Sequence, residues 1–147
     1  MKLSTRTRYG TRLLFELAYN YGKGPILLKD ISKRQNISEK YLSKIVMQLK
    51  SAGFVKAERG AKGGYILAQS PADINLKDVI QILEGEPLFI DCVNEKIKCE
   101  FEKRCPTYNL WYEMVNVVHD FLKSKTLEDL VVDYKRKIGE YGEIYYI

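Results

Sequence analysis

The feature that most constrains the fold of this chain is a broken helical pattern between residues 28 and 51. Apolar residues follow a helical period over residues 28–35, the period breaks at residues 36–38, and Ser38 can then cap a second helix. The inner stripe of that second helix is Leu42, Ile45, Val46 and Leu49. Its outer face is basic and carries Lys40, Lys44 and Lys50. This pattern predicts a helix-turn-helix, with an ordinary helical hairpin as the alternative.

A glycine-rich hairpin follows the two helices. Residues 54–59 alternate apolar and polar side chains, residues 60–64 form a glycine-rich tip, and residues 65–68 return as a second strand. Gly63 and Gly64 permit positive φ angles and close backbone approach, and Arg59 and Lys62 flank them with positive charge. The alternative is a nucleotide phosphate loop, but neither a Walker pattern nor Gly-x-Gly-x-x-Gly is present. The hairpin is therefore predicted to be the wing of a winged helix-turn-helix domain.

Two more helices are predicted to complete this domain. The first spans residues 5–21 and has an inner stripe of Leu13, Leu14, Leu17, Ala18 and Tyr21. The other spans residues 76–83, follows a possible cap at Asn75, and ends at Gly85 and Pro87. The fold class expected from the sequence is therefore mostly α with a small β-hairpin wing.

A long helix after residue 105 is predicted to join two subunits. Pro106 suits the first position of a helix, and an apolar stripe follows at Leu110, Met114, Val117, Val118, Phe121 and Leu122. We expect this stripe to be a homodimer seam, and packing on its own domain alone is the alternative. Thr126 and Asp129 resemble a capping box that starts a last helix through Leu130, Val131, Tyr134 and Ile138. The apolar tail at residues 144–147 is expected to dock on the body or on the partner chain.

Charge divides the chain into two unlike parts. Residues 1–64 contain 14 Lys/Arg and 4 Asp/Glu, whereas residues 65–147 contain 10 and 15, so their net charges are +10 and −5. A basic half of this size suits a surface that neutralises DNA phosphates, although a basic surface that only aids solubility is the alternative. We expect a DNA-binding domain at residues 1–85, a cysteine loop at residues 86–105, and dimerisation and C-terminal helices at residues 106–147.

Other function classes find little support in these 147 residues. No apolar run approaches the ~20 residues that cross a bilayer, and the N-terminus leads into no signal-peptide core, so we expect a cytoplasmic protein with no membrane partner. No Ser-His-Asp set, phosphate loop or carboxylate pair is evident, and the single histidine, His119, lies too far along a helix to act as a base for Cys105. We therefore expect no enzyme activity.

Three cysteines, Cys92, Cys99 and Cys105, lie close together in the chain. An odd number argues against a disulfide framework. Thiolates on one loop can converge on an iron–sulfur cluster. A structural zinc site usually has four ligands and closer cysteine pairs, which makes zinc a second choice. The third alternative is that the cysteines are merely small loop residues.

Several segments also carry a family resemblance: residues 2–10, 25–31, 37–42, 49–55, 59–65 and 79–85. Together they resemble the Rrf-two (Rrf2) family of bacterial winged-helix regulators. The cysteine loop resembles that of the IscR and NsrR branches, which bind an iron–sulfur cluster and use its loss, oxidation or nitrosylation to change DNA affinity. The resemblance implies a 2Fe–2S cluster on Cys92, Cys99 and Cys105. The aromatic tail instead resembles the CymR branch, which lacks the cluster and acts with a partner enzyme.

The resemblance leaves the fourth cluster ligand open. IscR-like members commonly place a histidine three residues after the last cysteine, where this chain has Tyr108. NsrR-like members can use an acidic residue from the first helix of the partner chain, where this chain has Arg6 and Arg8, with Glu16 two turns on. The local carboxylates are Asp91, Glu95, Glu100 and Glu102.

The sequence thus predicts a homodimeric transcription regulator that acts mainly as a repressor. It is expected to bind a near-palindromic operator in double-stranded DNA. The candidate DNA contacts are Ser38, Lys40, Tyr41 and Lys44 in the major groove and Arg59, Lys62, Gly63 and Gly64 at the minor groove. Its expected signal is iron–sulfur status, redox state or nitric oxide. The alternative is a cluster-free regulator of cysteine or sulfur metabolism, gated by a partner protein or by thiol oxidation.

Overall fold

The computed structural model describes residues 2–85, 90–93 and 98–145, with side chains as far as Gly139. The elements within those residues are α1 (Thr5–Tyr19), α2 (Leu28–Gln35), α3 (Glu39–Ser51), β1 (Val55–Glu58), β2 (Gly64–Leu67), α4 (Leu76–Glu84), α5 (Tyr108–Lys123) and α6 (Leu127–Tyr145). Single 3₁₀ turns lie at Pro71–Asp73, Asp91–Val93 and Glu102–Arg104. The predicted fold class, mostly α with a small β-hairpin wing, is confirmed. Pro87, Glu95 and the side chains of the tail at residues 144–147 lie outside the described part.

None of the helices in the described part of the chain combines the length and the apolar character needed to cross a membrane.

The helix-turn-helix formed by α2 and α3 follows from signals within the segment itself. α2 ends at Asn36, whose φ of 53° lies in the left-handed region, which asparagine tolerates better than most residues. The hydroxyl of Ser38 accepts a hydrogen bond from the backbone N–H of Tyr41 at 3.4 Å and caps α3 as predicted. The predicted inner stripe of α3 is buried: Leu42, Ile45, Val46 and Leu49.

α1 lies at the centre of the domain and contacts α2, α3, α4 and α6. Its leucines at positions 13, 14 and 17 are buried, as the sequence predicts. The buried carboxylate of Glu16 accepts hydrogen bonds from Arg34 Nε at 3.0 Å and Gln35 Nε2 at 2.6 Å, which joins α1 to α2. The prediction that Tyr21 faces inward is wrong. α1 ends at Tyr19, so the helical period no longer places Tyr21, which is 50% exposed.

The predicted wing forms and gains a third backbone segment. β1 and β2 pair antiparallel, with Val55 opposite Leu67. Ile26 adds a short bridge on the other side of β2, because its N–H and C=O both bond to the backbone of Tyr65, at 3.0 and 2.8 Å. Gly64 makes this possible: its φ is +153°, and a Cβ there would lie 2.5 Å from the carbonyl oxygen of Ile26. The close approach made by Gly64 is therefore to the protein's own backbone.

The two C-terminal helices begin in different ways. α5 starts two residues later than predicted, because Pro106 and Thr107 form a turn before it. α6 starts at the predicted capping box, in which the N–H of Thr126 donates to Asp129 Oδ2 at 2.8 Å. The first turns of α6 belong to the same core as α1, and their buried side chains are Leu127 and Val131.

Three helices meet at Gly10 of α1. A Cβ at this position would lie 2.6 Å from Leu83 Cδ1 of α4 and 3.2 Å from Ile45 Cγ2 of α3. Both neighbours are buried, so neither side chain has free space into which it can move. Glycine at position 10 therefore sets how closely α1 approaches α3 and α4.

We predict that Gly10→Ala lowers the free energy of unfolding by about 1–3 kcal/mol, the usual cost of overpacking a core. The matched control is Gly139→Ala on exposed α6, where a Cβ meets nothing within 4 Å. That change should leave stability equal or raise it by up to about 1 kcal/mol through helix propensity. Urea denaturation of both variants and the wild type measures the difference. A Gly10→Ala protein as stable as Gly139→Ala, which gains the same helix propensity, would contradict the packing described.

Candidate DNA-binding surface and cysteine loop

The candidate contacts on α3 lie on one side of the helix. Ser38, Lys40 and Lys44 are exposed, and Tyr41 is half-buried. The ring of Tyr41 packs edge-on against Tyr9 of α1, with 5.9 Å between the ring centroids. α3 therefore presents its positive charges outward while one of its aromatic side chains is held by α1.

The wing carries the other candidate contacts. Arg59 and Lys62 are exposed at its tip, beside the positive φ of Gly60 at +116°. Gly63 and Gly64 are both explained by the hairpin itself: a Cβ at Gly63 would collide with the carbonyl oxygen of Glu58, and Gly64 approaches Ile26. The two side chains are thus available to an external partner, whereas the two glycines are required by the fold.

The sequence did not reveal how the C-terminal end of α4 is attached to α1. Glu84, the last residue of α4, accepts hydrogen bonds from the N–H of Ser4 at 3.1 and 3.2 Å, from Ser4 Oγ at 2.9 Å, and from the hydroxyl of Thr7. Arg6 Nε donates to the carbonyl oxygen of Leu83 at 2.9 Å. The first turn of α1 and the last turn of α4 therefore satisfy each other's free polar groups.

The negative charge of Glu84 is stabilised at the N-terminus of α1. Burial alone would raise its pKa, but hydrogen bonds from Thr7 and Ser4 and the charge of Arg6 outweigh burial, and the pKa lies below its ordinary value. A carboxylate at a helix N-terminus is favourable, whereas one in the last turn of its own helix is not. This acidic residue at the end of α4 was the sequence signal that could have revealed the contact.

The cysteine loop is described only in parts. Cys92 lies in the turn Asp91–Val93, and Cys92, Cys99 and Cys105 are all half-buried free thiols. Partial burial raises the pKa of Tyr108, and the electrostatic influence of Glu102, Tyr112, Cys92 and Cys99 raises it further. Two of the three thiols therefore lie within electrostatic reach of the first residue of α5.

Cys105 lies beside Thr107 in the turn that precedes α5. Its sulfur is 3.5 Å from the Thr107 hydroxyl, and this hydrogen bond, with backbone N–H groups of Thr107 and Tyr108, lowers the pKa of the Cys105 thiol. Cys105 is therefore more readily deprotonated than an ordinary cysteine.

The donor chemistry of the loop fits an iron–sulfur cluster, because thiolates are its usual ligands. The geometry of the described residues does not complete the fit. Among them, no three His, Cys, Asp or Glu side chains lie close enough together to hold a metal ion. The predicted ligand set of Cys92, Cys99 and Cys105 is therefore not assembled in the conformation described.

The structure describes all the candidates for a fourth cluster ligand named above except Glu95. Asp91, Glu100 and Glu102 are exposed. Glu16 is unsuitable, because its buried carboxylate already binds Arg34 and Gln35. Tyr108, at the position where the resemblance implies a histidine, is half-buried.

α5 has an apolar surface that the other described residues do not cover. None of its residues is buried, and four members of the predicted stripe are exposed by 38–68%: Leu110, Met114, Val117 and Phe121. Exposed apolar residues in this number and spacing are typical of a protein interface.

Comparison with known proteins assigns the chain to a family. It matches a family model described as Rrf2, iron-dependent transcriptional regulator, over residues 3–133. It is 40% identical to protein rrf2 of Nitratidesulfovibrio vulgaris over an alignment of 133 residues. This alignment covers 90% of this chain and 89% of that protein.

Two solved structures share the fold. That of CymR, the global cysteine regulator of B. subtilis, is 41% identical with a TM-score of 0.75, covering 90% of this chain and 97% of CymR. That of T. potens IscR is 39% identical with a TM-score of 0.76, covering 91% and 88%. The family consists of regulators that bind DNA, which agrees with the prediction that the chain is not an enzyme. The chain therefore belongs to the Rrf2 family of winged-helix transcription regulators.

Proposed function

We propose that this regulator is a homodimeric repressor that binds a near-palindromic operator and changes its DNA affinity with the state of its cysteine loop. In this proposal residues 1–85 bind DNA, residues 86–105 receive the signal, and residues 106–147 join the subunits. The observation that carries the proposal is the shared exposure of cations on α3 and the wing, the two elements that enter DNA grooves in this fold.

The DNA contacts are divided between two grooves. Lys40 and Lys44, with Ser38 and Tyr41, contact bases or phosphates of the major groove from the N-terminal half of α3. Arg59 and Lys62 contact the minor groove or its phosphates from the wing tip. The backbone at Gly63 and Gly64 shapes the wing tip beside them, and the N–H of Gly63 already donates to the carbonyl oxygen of Gly60 at 3.0 Å. A dimer places two such surfaces on successive turns of one DNA face, which is why the operator is expected to be near-palindromic.

We predict that Arg59→Ala weakens operator binding and reduces the slope of log Kd against log salt by about one unit, because one phosphate or groove contact is lost. Fluorescence anisotropy over a series of salt concentrations measures both quantities. Arg136→Ala on α6 removes the same charge from an exposed position that belongs neither to α3 nor to the wing, and it should leave the slope unchanged. Equal binding by Arg59→Ala and wild type at every salt concentration would refute the wing assignment.

The dimer seam is proposed for α5. None of the residues of this 16-residue helix is buried, so much of its apolar stripe stays in water unless a partner covers it. A second copy supplies an identical stripe, and two such helices bury each other's apolar residues in an isologous interface.

We predict that Val117→Asp, at the most exposed position of the stripe, shifts the protein from dimer to monomer and weakens operator binding. Sedimentation equilibrium measures the mass. Asn109→Asp adds the same charge to α5 at an exposed position outside the stripe and should remain dimeric. A Val117→Asp protein that stays fully dimeric would exclude α5 as the seam.

The proposed signal group is an iron–sulfur cluster, of the 2Fe–2S type, held by Cys92, Cys99 and Cys105 with a fourth ligand still to be identified. Support comes from the thiol donor set and from the iron dependence in the description of the family. Such a cluster supplies a centre that is sensitive to oxidants, to nitric oxide and to iron supply. The chain's own part is to bring the three thiols together, which requires the loop to close from the conformation described.

We predict that protein purified without oxygen contains iron and sulfide and absorbs visible light, and that Cys92→Ala, Cys99→Ala and Cys105→Ala each lose this absorption. Elemental analysis for iron, sulfide and zinc accompanies the spectra. Colourless wild-type protein without iron would overturn the cluster proposal, and stoichiometric zinc would point to a structural zinc site instead.

A second candidate function is a cluster-free regulator that responds to thiol oxidation or to a partner protein. Three observations favour it: the lowered pKa of Cys105, the lack of an assembled metal-binding group in the described residues, and the 41% identity to CymR, a global cysteine regulator. The iron analysis separates the two candidates.

A further inference from the structure

The last turn of α4 is attached directly to the recognition helix α3. Gln48 Nε2 of α3 donates a hydrogen bond of 2.7 Å to the carbonyl oxygen of Ile82. The side chain of Leu83 is fully buried and packs at the point where Gly10 of α1 meets Ile45 of α3. A displacement of this turn therefore changes contacts that set the position of α3.

Glu84 attaches the same turn to α1. Its carboxylate receives the N–H and hydroxyl of Ser4 and the hydroxyl of Thr7, so both of its oxygens are occupied by the N-terminus of α1. α1 in turn supports α3 through the ring contact of Tyr9 with Tyr41. The C-terminal turn of α4 thus acts on α3 by one direct route and by one route through α1.

This turn is also where the cysteine loop begins. Gly85 follows Glu84 with a φ of +83° and ends the helix, and the chain then leads to Cys92. The loop is therefore joined to α4 at Gly85, one residue beyond the carboxylate that bonds this turn to α1. Helix ends fray first, and here the carbonyl oxygens of Ile82 and Leu83 are bonded instead by Gln48 and Arg6.

We propose that Glu84 is a positioning residue that transmits the state of the cysteine loop to α3 through its hydrogen bonds to Ser4 and Thr7. The inference rests on the proposed control of DNA affinity by the loop. It assigns that control a structural route: the loop holds or releases the last turn of α4, and the turn sets the position of the recognition helix.

The test uses a change confined to the loop. All three cysteines of the chain lie there, so alkylation with iodoacetamide alters the loop alone, whether or not a cluster is the natural signal. The DNA probe is a duplex selected by the wild-type protein from random sequences. Its Kd is measured by fluorescence anisotropy for reduced and for alkylated protein, each freed of metal, and the ratio of the two values reports the coupling between loop and DNA.

For the wild type we expect alkylation to change Kd by at least about fivefold, the lower end of ordinary allosteric coupling. For Glu84→Gln we expect a ratio below about twofold. The amide replaces one acceptor oxygen with an NH2 group, which is a donor and cannot accept the hydrogen bonds that Ser4 and Thr7 donate. Asp78→Asn is the matched control, since it neutralises an exposed carboxylate on the same helix, and it should keep the wild-type ratio. Thr7→Val removes one hydroxyl donor at nearly constant shape, should give an intermediate ratio, and replaces Glu84→Gln if that variant does not fold.

A merely structural role for Glu84 would change both Kd values by the same factor and leave the ratio at its wild-type value, which would overturn the inference. A wild-type ratio of one would have a different meaning: it would refute loop control of DNA affinity, and the inference with it. Only a responsive wild type combined with an unresponsive Glu84→Gln supports the route through α4.

Discussion

The close contact of α1, α3 and α4 is the constraint on which the rest of this structure depends. Gly10 lets Leu83 and Ile45 meet against the backbone of α1, and Glu84 joins the beginning of α1 to the end of α4. Packing alone brings the helices together, but the hydrogen bonds determine which turn lies against which. Because the recognition helix is one of the three, its position on DNA depends on contacts made on its opposite, buried face.

The basic and acidic parts of the chain correspond to different parts of the structure. Positive charge is concentrated in residues 1–64, and its side chains on α3 and the wing point to solvent. The acidic remainder supplies the cysteine loop and the C-terminal helices, which in the proposed dimer stay away from phosphates. α6 does not form a separate unit, since Leu127 and Val131 complete the core of the DNA-binding domain. An event at the dimer seam is therefore connected to that core by α6 as well as by the loop.

Much of the fold was predictable because the signals are local. The caps at Ser38 and Asn75, the capping box at Thr126 and the stripes of α1 and α3 each depend on residues within about one turn of each other. The two wrong predictions fall at helix ends. Tyr21 lies beyond the end of α1, and α5 begins after the turn at Pro106, because a periodic pattern does not by itself state where the helix ends.

The sequence by itself determined the family, the helix-turn-helix, the wing and the basic surface, since these depend on short patterns of polarity, glycine and charge. Only the tertiary structure decided how Ile26 joins the wing, why Gly64 is glycine, and which partner Glu84 has. Ser4 and Glu84 are 80 residues apart, and no short-range pattern encodes a contact that exists only after α1 and α4 have packed. The same reason applies to the cysteines: their spacing is read from the chain, but their arrangement in space depends on the folded protein.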